Sequence, residues 1–245
     1  MYMHRLLLYN FLVTTLIAPA SISANSNKIP TYRAIYDVEY KNRSVGESEI
    51  TVKKKESNDN YVFSSKSNAT GFLKLIFPKT LIEVSEFSYL DNTIKPQIYS
   101  FSDSSITNSE SYTISFNWEK NLVNTTINDQ VISSEIQPNT LDNGTLQVAL
   151  MLDMKNSVPE SYTIRDDDGA RVYKYTSEGE ENLETPLGII ATKKLMQERQ
   201  GFSHQTIIWL AKDLQFIPVR IEQFRDGKQR VVLNINSLKW LTIDD

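Results

Sequence analysis

From about residue 31 onward, large apolar residues recur at every second position, and this alternation constrains the chain more than any other feature. A period of two belongs to a strand with one dry face and one wet face. In Ala34-Ile35-Tyr36-Asp37-Val38-Glu39-Tyr40-Lys41, one face collects Ala34, Tyr36, Val38 and Tyr40, and the other collects Asp37, Glu39 and Lys41. In Tyr112–Trp118 the apolar set is Tyr112, Ile114, Phe116 and Trp118, separated by small polar residues. A helix would bring Tyr112 and Phe116 together and turn Ile114 and Trp118 away from them. Turn chemistry interrupts the runs at regular spacing. Ser57-Asn58-Asp59-Asn60, Asp91-Asn92, Asn128-Asp129, Asp167-Asp168-Gly169 and Asp226-Gly227 each separate two alternating segments. Paired Asn, Asp and Gly tolerate the left-handed conformations that tight hairpins need. The expected fold class is mainly β: a large antiparallel, strongly curved sheet, a barrel or half-barrel of about twelve strands.

One segment departs from this pattern. Residues 142–154, DNGTLQVALMLDM, place Leu146, Ala149 and Leu150 at helical spacing, with Val148, Met151 and Leu152 widening the apolar face and Asp142 able to cap the first turn. Pro138 and Pro159 bracket it. A helix this apolar must be buried on most sides, and the concave side of the sheet is the natural place. With no linker rich in Pro, Gly or Ser and no internal repeat, residues 28–241 read as a single β-rich domain. Edges of so large a sheet must be covered or joined, and curling does both. A curled sheet can enclose a binding cavity.

The first 24 residues have the order of a secretory signal peptide: Arg5, then the apolar stretch Leu6–Ala18, then the small residues of PASISA. Cleavage is expected after Ala20, Ser23 or Ala24, with the region of Ala24 favoured by the polar NSNK that follows. The apolar stretch is shorter than the ~20 residues that cross a bilayer, and no later stretch approaches ~18, so no transmembrane segment is expected after cleavage. Export to the periplasm or bacterial envelope follows. Cleavage removes Arg5 and no acid, which leaves 25 basic residues against 30 acidic ones. An acidic, unclustered surface does not suit nucleic acid. The longest basic run, Lys53-Lys54-Lys55, reads as a solvated strand end.

The chemistry available is narrow. The absence of Cys excludes disulfides, thiolate metal sites and a cysteine nucleophile, and two His, His4 and His204, cannot build a multi-His centre. No metal and no cofactor is expected. A Ser-His-acid triad would have to use His204, which lies at an apparent hairpin end, and no G-x-S-x-G elbow accompanies it. Asp166-Asp167-Asp168-Gly169 invites calcium, but consecutive acids in an extended chain splay to opposite faces, and the spacing fits a turn. A glycosidase-like carboxylate pair leaves no signature in sequence. Arg220 and Glu222 alternate with Val219 and Ile221 and read as structural ion-pair partners across the sheet.

The candidate ligand-binding residues are therefore apolar. Phe72, Leu73, Leu75, Ile76 and Phe77 crowd five large side chains into six positions between two strands, and Tyr89, Tyr99 and Phe101 follow in the next strands. At ~1.5–3 kcal/mol per buried side chain, the five do not lie in water without a reason. They form either a short element tucked into the barrel end or an apolar flap or patch over a cavity. Three functions stay open: binding of a lipid or other apolar or amphipathic ligand, a structural or assembly module acting on an envelope partner through its surface or a sheet edge, and a hydrolase built on carboxylates.

Several motifs together resemble a known family. They are Glu184-Thr185-Pro186-Leu187-Gly188, Trp209-Leu210-Ala211-Lys212-Asp213-Leu214 and Ile217-Pro218-Val219-Arg220-Ile221, with Tyr36–Tyr40, Val45-Gly46 and Thr70-Gly71-Phe72-Leu73 earlier in the chain. This pattern resembles the exported bacterial family called domain of unknown function 3108, over about residues 31–240. The resemblance implies an exported β-rich protein, similar in character to the lipoprotein-carrier group, and no accepted activity. The motifs themselves read as turns and strand register. Pro186 and Gly188 suit a turn. Ile207, Trp209 and Ala211 share one face and Ile208 and Leu210 the other, so this strand belongs mid-fold. Pro218 marks a strand start or edge.

Overall fold

A computed structural model describes residues 28–55, 60–70, 80–104 and 110–242. The signal segment 1–24 and the apolar residues Phe72, Leu73, Leu75, Ile76 and Phe77 lie outside the described residues. The first eight strands are β1 (Tyr32–Tyr40), β2 (Arg43–Lys54), β3 (Asn60–Ala69), β4 (Thr80–Leu90), β5 (Thr93–Asp103), β6 (Glu110–Asn117), β7 (Leu122–Ile127) and β8 (Gln130–Glu135). Helix α1 (Asn143–Asp153) follows. Then come β9 (Ser161–Asp166), β10 (Gly169–Thr185), β11 (Gly188–Arg199), β12 (His204–Ala211), β13 (Ile217–Arg225) and β14 (Lys228–Trp240). Fourteen strands form one sheet in the order β8-β7-β6-β5-β4-β3-β2-β1-β14-β13-β12-β11-β10-β9. The sequence estimate of about twelve is two short. Every ladder is antiparallel between neighbours, so the sheet is two meanders joined where the first strand pairs with the last.

The hairpins follow the turn residues. Lys41-Asn42, Asp91-Asn92 and Asn128-Asp129 each carry two successive residues with φ between 48° and 63°, and Asp226-Gly227 has φ 53° and 69°. Two left-handed residues in a row make the type I′ turn whose twist matches that of the flanking strands.

The sheet curls until its far ends meet. Strands β6 and β9 are eleven places apart in the order, a separation of about 50 Å if the sheet were flat. Yet the Tyr112 hydroxyl of β6 donates to Asp166 Oδ1 of β9 at 2.7 Å, and Arg165 of β9 donates to Thr125 Oγ1 of β7 at 3.0 Å. No ladder joins β8 to β9, so the sheet is not closed. Instead, Leu141 forms a parallel bridge to Ile164, donating to Thr163 O at 2.9 Å and accepting from Arg165 N at 2.8 Å. The seam of this half-barrel is held by side chains and by the segment that leads into the helix.

Helix α1 fills the concave side. An isolated helix of its length is marginal in water. Its stability comes from burial: Val148, Leu150, Met151 and Met154 are almost fully enclosed, each worth about 1.5–3 kcal/mol as an upper range. Asp142 caps it, accepting from Thr145 N at 2.7 Å while Thr145 Oγ1 accepts from Asp142 N at 2.9 Å. Gly144 lets the helix reach the sheet, since a Cβ there would lie 2.6 Å from Phe63 Cδ1 and 2.8 Å from Ser85 Cβ. Tyr32 of β1 is buried beneath the helix, its hydroxyl accepting from Gln147 Nε2 at 2.9 Å.

Strand β12 is apolar on both faces, as its sequence requires. Ile208 and Leu210 pack in one cluster with Leu150, Met154 and Leu195, and Trp209 and Ala211 in another with Ile190 and Ile217. Pro218 is the second residue of β13, beside a register shift, and its carbonyl accepts from the buried Tyr36 hydroxyl at 2.8 Å.

Candidate ligand-binding cleft

The helix descends the concave face roughly alongside β4, from Ser85 at its N-terminal cap toward Tyr89 at its C-terminal end. At that second end it leaves a cleft of about 310 Å³. The floor is apolar, made by Ile94, Leu141, Ala149 and Leu152, all buried. The rim is polar, made by Asn92 of the β4–β5 turn, Asn139 before the helix, and Asp153 and Asn156 at the helix end. Tyr89 and Tyr162 supply rings from β4 and β9.

Local folding rules place each of these groups. Asn92 sits at the second left-handed position of its turn, φ 59°, which presents its amide at the tip. The Tyr89 hydroxyl donates to Asn92 Oδ1 at 3.2 Å, and the Tyr162 hydroxyl donates to Asp153 Oδ2 at 2.6 Å. Burial raises the Tyr89 phenol above its ordinary value, helped by the charge of Asp153. Burial followed by the Asp153 hydrogen bond raises Tyr162 further. Both phenols are therefore neutral donors across the physiological range.

A second polar group lies at the other end of the helix. Asp142 Oδ2 accepts from the Ser85 hydroxyl at 2.6 Å, and Glu83 Oε1 accepts from the Tyr99 hydroxyl at 2.7 Å. Burial raises Asp142 to about 6, and burial also raises Glu83, with Asp142 and Asp166 adding repulsion. Asp142 is fully buried with both oxygens engaged, so its chemistry is that of a cap and a fastening. Asp166 is held between Tyr112 and Arg171. Together these groups bolt the helix N-terminus and the seam.

The residues singled out by sequence are divided by the structure. Tyr89 lines the cleft. Tyr99 is fully buried on Glu83, and Phe101 is half-buried against Tyr112 with ring centroids 5.2 Å apart, so these two belong to the seam. The rest of the apolar set lies outside the described residues. Asn92, Asn139, Asp153, Asn156 and Tyr162 were not legible as a site. The only signal was a supply of Asn at turns, which reads equally well as turn chemistry.

Other expectations resolve individually. Asp167 and Asp168 form the turn, but Asp166 is the last residue of β9 and is buried rather than solvated, and Arg171 pairs with Asp166 and Asp168. Among the described residues no group of three or more His, Asp or Glu is arranged to hold a metal. His204 is exposed at the start of β12, 6.2 Å from the Phe202 ring. Arg220 and Glu222 pair with each other, Arg220 Nε to Glu222 Oε1 at 2.7 Å, rather than with cross-strand neighbours. Among the described residues no helix is long and apolar enough to cross a membrane.

Comparison with known proteins supports the architecture. A search of curated proteins finds no match. A crystal structure of a β-barrel-like protein of domain of unknown function DUF1849 from Brucella abortus is similar in fold, with a TM-score of 0.58 at 7% identity, covering 88% of this chain and 99% of that one. The family model for the protein family of unknown function DUF3108 matches residues 35–233.

Proposed function

Because the chain belongs to the DUF3108 family, whose description carries no function, we propose from its own geometry that it is an exported, non-enzymatic envelope protein that binds an amphipathic ligand. The observation that carries this reading is the cleft at the C-terminal end of α1, with its apolar floor of Ile94, Leu141 and Leu152 and its polar rim. A volume of about 310 Å³ is at the small end of ligand sites, which run ~300–1,000 Å³. The ligand therefore enters by a short apolar segment and leaves its polar part at the rim. The signal-like N-terminus supports a periplasmic location.

Native mass spectrometry of protein purified from its own host tests this. The expected result is an added mass that organic extraction removes. Ligand-free protein at every purification stage, with Leu152→Trp leaving no trace in any binding measurement, overturns it.

A second reading rests on β8, the last strand of the sheet, which exposes Val131 and Ile132 at 62% and 54%. An uncovered apolar edge strand is a pairing surface. An assembly role through β8 predicts crosslinks to an envelope partner that Val131→Lys abolishes.

A further inference from the structure

The cleft at the C-terminal end of α1 carries charge of one sign only. Resting on the cleft reading above, we propose that the polar part of its ligand is an organic ammonium group, borne on a short apolar segment and held beside Asp153.

The amides of the rim do not make this choice. Asn92, Asn139 and Asn156 are exposed, so water serves them as well as a ligand does, and they discriminate little between one polar group and another. Charge does discriminate. Asp153 is the one charged side chain among the lining residues, and no Lys, Arg or His joins it. Its Oδ2 accepts from the neutral Tyr162 hydroxyl at 2.6 Å, which fixes the carboxylate without neutralising it and leaves Oδ1 for a ligand. Lys155, two residues on, does not compensate the charge: burial moves its ammonium downward, with no carboxylate acting against it.

The helix adds charge of the same sign. α1 ends at Asp153 with no basic residue in its last turn, so the negative end of its dipole is uncompensated there. Tyr89 and Tyr162 line the same space, and an aromatic ring attracts an organic cation lying over its face. The Asp153 charge reaches both phenols and raises each, so carboxylate and rings border one space. An anion meets repulsion from the carboxylate and the helix end alike, and phosphate or carboxylate sites use the opposite end of a helix. A metal ion is the wrong cation. One carboxylate falls far short of the ~6–8 oxygens that calcium takes, and among the described residues no group of three or more His, Asp or Glu is placed to hold a metal. The floor of Ile94, Leu141, Ala149 and Leu152 asks for hydrocarbon beside the charge. An alkylammonium supplies both: its methylenes cover the floor, and its N–H groups donate to Asp153 Oδ1 in a charge-assisted hydrogen bond.

The test uses the whole chain after delipidation and four probes, each below its micelle concentration. Octylammonium, octyl phosphate and octyl β-glucoside share one tail; dihexanoylphosphatidylethanolamine carries the ammonium on a lipid headgroup. Binding is read from backbone amide shifts at Ile94, Leu152, Asp153 and Tyr162. The expected result at low salt is octylammonium binding at least about fivefold tighter than octyl phosphate or octyl glucoside, a preference that shrinks as salt rises. Asp153→Asn, which keeps an acceptor for Tyr162, removes the preference, and Asp153→Lys reverses it toward octyl phosphate. Given that preference, phosphatidylethanolamine binding as tightly as octylammonium identifies a lipid headgroup as the source of the ammonium, and weaker binding identifies a free amine. If octylammonium shows no preference over octyl phosphate and octyl glucoside, or if Asp153→Asn retains the preference, the ammonium assignment falls while the cleft reading stands. If none of the four probes moves these residues, the cleft reading falls and the ammonium assignment with it.

Discussion

Replacing Gly144 by Ala tests how closely the helix is seated on the sheet. Gly144 is the second residue of α1, and in an open helix Ala would be the better residue by as much as ~1 kcal/mol. Here the added Cβ would fall 2.6 Å from Phe63 Cδ1 and 2.8 Å from Ser85 Cβ, where ordinary contact begins near 3.4 Å. Phe63 and Ser85 are cross-strand partners in the β3–β4 ladder; Ser85 Cβ cannot retreat without moving backbone, and the Phe63 ring is enclosed in the core. Relief requires the helix to lift by more than half an ångström, and overpacking of this kind costs ~1–3 kcal/mol. Set against the propensity gain, the net is a loss of up to about 2 kcal/mol, or a melting temperature lower by up to about 8 °C for a domain of this size. Thermal unfolding followed by circular dichroism reads this directly. The double variant with Phe63→Leu opens space beside the new methyl and recovers part of the loss, a coupling of ~0.5 kcal/mol or more. A higher melting temperature for Gly144→Ala, or strict additivity with Phe63→Leu, refutes tight seating of the helix on β3 and β4.

Acid titration gives a second outcome. Asp142 is raised from 3.8 to about 6 by burial, so the folded state holds its proton over a range in which the unfolded chain has lost it. Its contribution is therefore complete below about pH 4 and is lost as pH rises through about 6, a change of up to ~3 kcal/mol. Glu83 acts in the same direction; Glu49 and Asp168, lowered by their arginine partners, act oppositely, but they are exposed pairs with little weight. Melting temperature falls between pH 4.5 and 7, and Asp142→Asn, which keeps a capping side chain, flattens that slope; an unchanged slope contradicts the assignment. Tyr112→Phe removes the hydroxyl that spans the seam to Asp166 and costs about 1–2 kcal/mol, with faster hydrogen exchange at Ile164 and Arg165 as its local mark. Gly46→Ala drives a Cβ to within 2.1 Å of the Asn68 carbonyl oxygen, so the β2–β3 ladder opens there; urea denaturation shows a clear loss of stability, and a neutral result contradicts the close approach of the two strands.

Much of the architecture was legible because it is local. Alternation names a strand and its dry face without any partner, and Asp91-Asn92 or Asn128-Asp129 names a hairpin because two left-handed residues are needed in a row. Asp142 announced a helix start by its side chain alone. What the residues do not announce is which distant faces meet. Tyr112 and Asp166 are 54 positions apart, and nothing in either segment points to the other. The cleft is harder still, since it takes Asn92 from a turn, Asn156 from a helix end and Tyr162 from a strand, each already accounted for by its local role. The crowded apolar run drew attention to itself by hydrophobicity, whereas a rim of amides is polar and passes as ordinary loop.

The pairing of β1 with β14 has a consequence for how the molecule assembles. The two meanders, β1–β8 and β9–β14, meet at this ladder, and Thr31 and Leu241 finish it with reciprocal bonds of 2.8 and 3.0 Å. Until Lys228–Trp240 docks against it, the N-terminal meander keeps a raw edge at Tyr32–Tyr40. Pairing of segments this far apart in sequence is the kind of contact that forms slowly, and the edge is open to aggregation until it does. Deleting Lys228–Trp240 removes the keystone rather than a tail, and a permuted chain that joins β14 directly to β1 and opens at the Asn128-Asp129 turn would zip the same seam first.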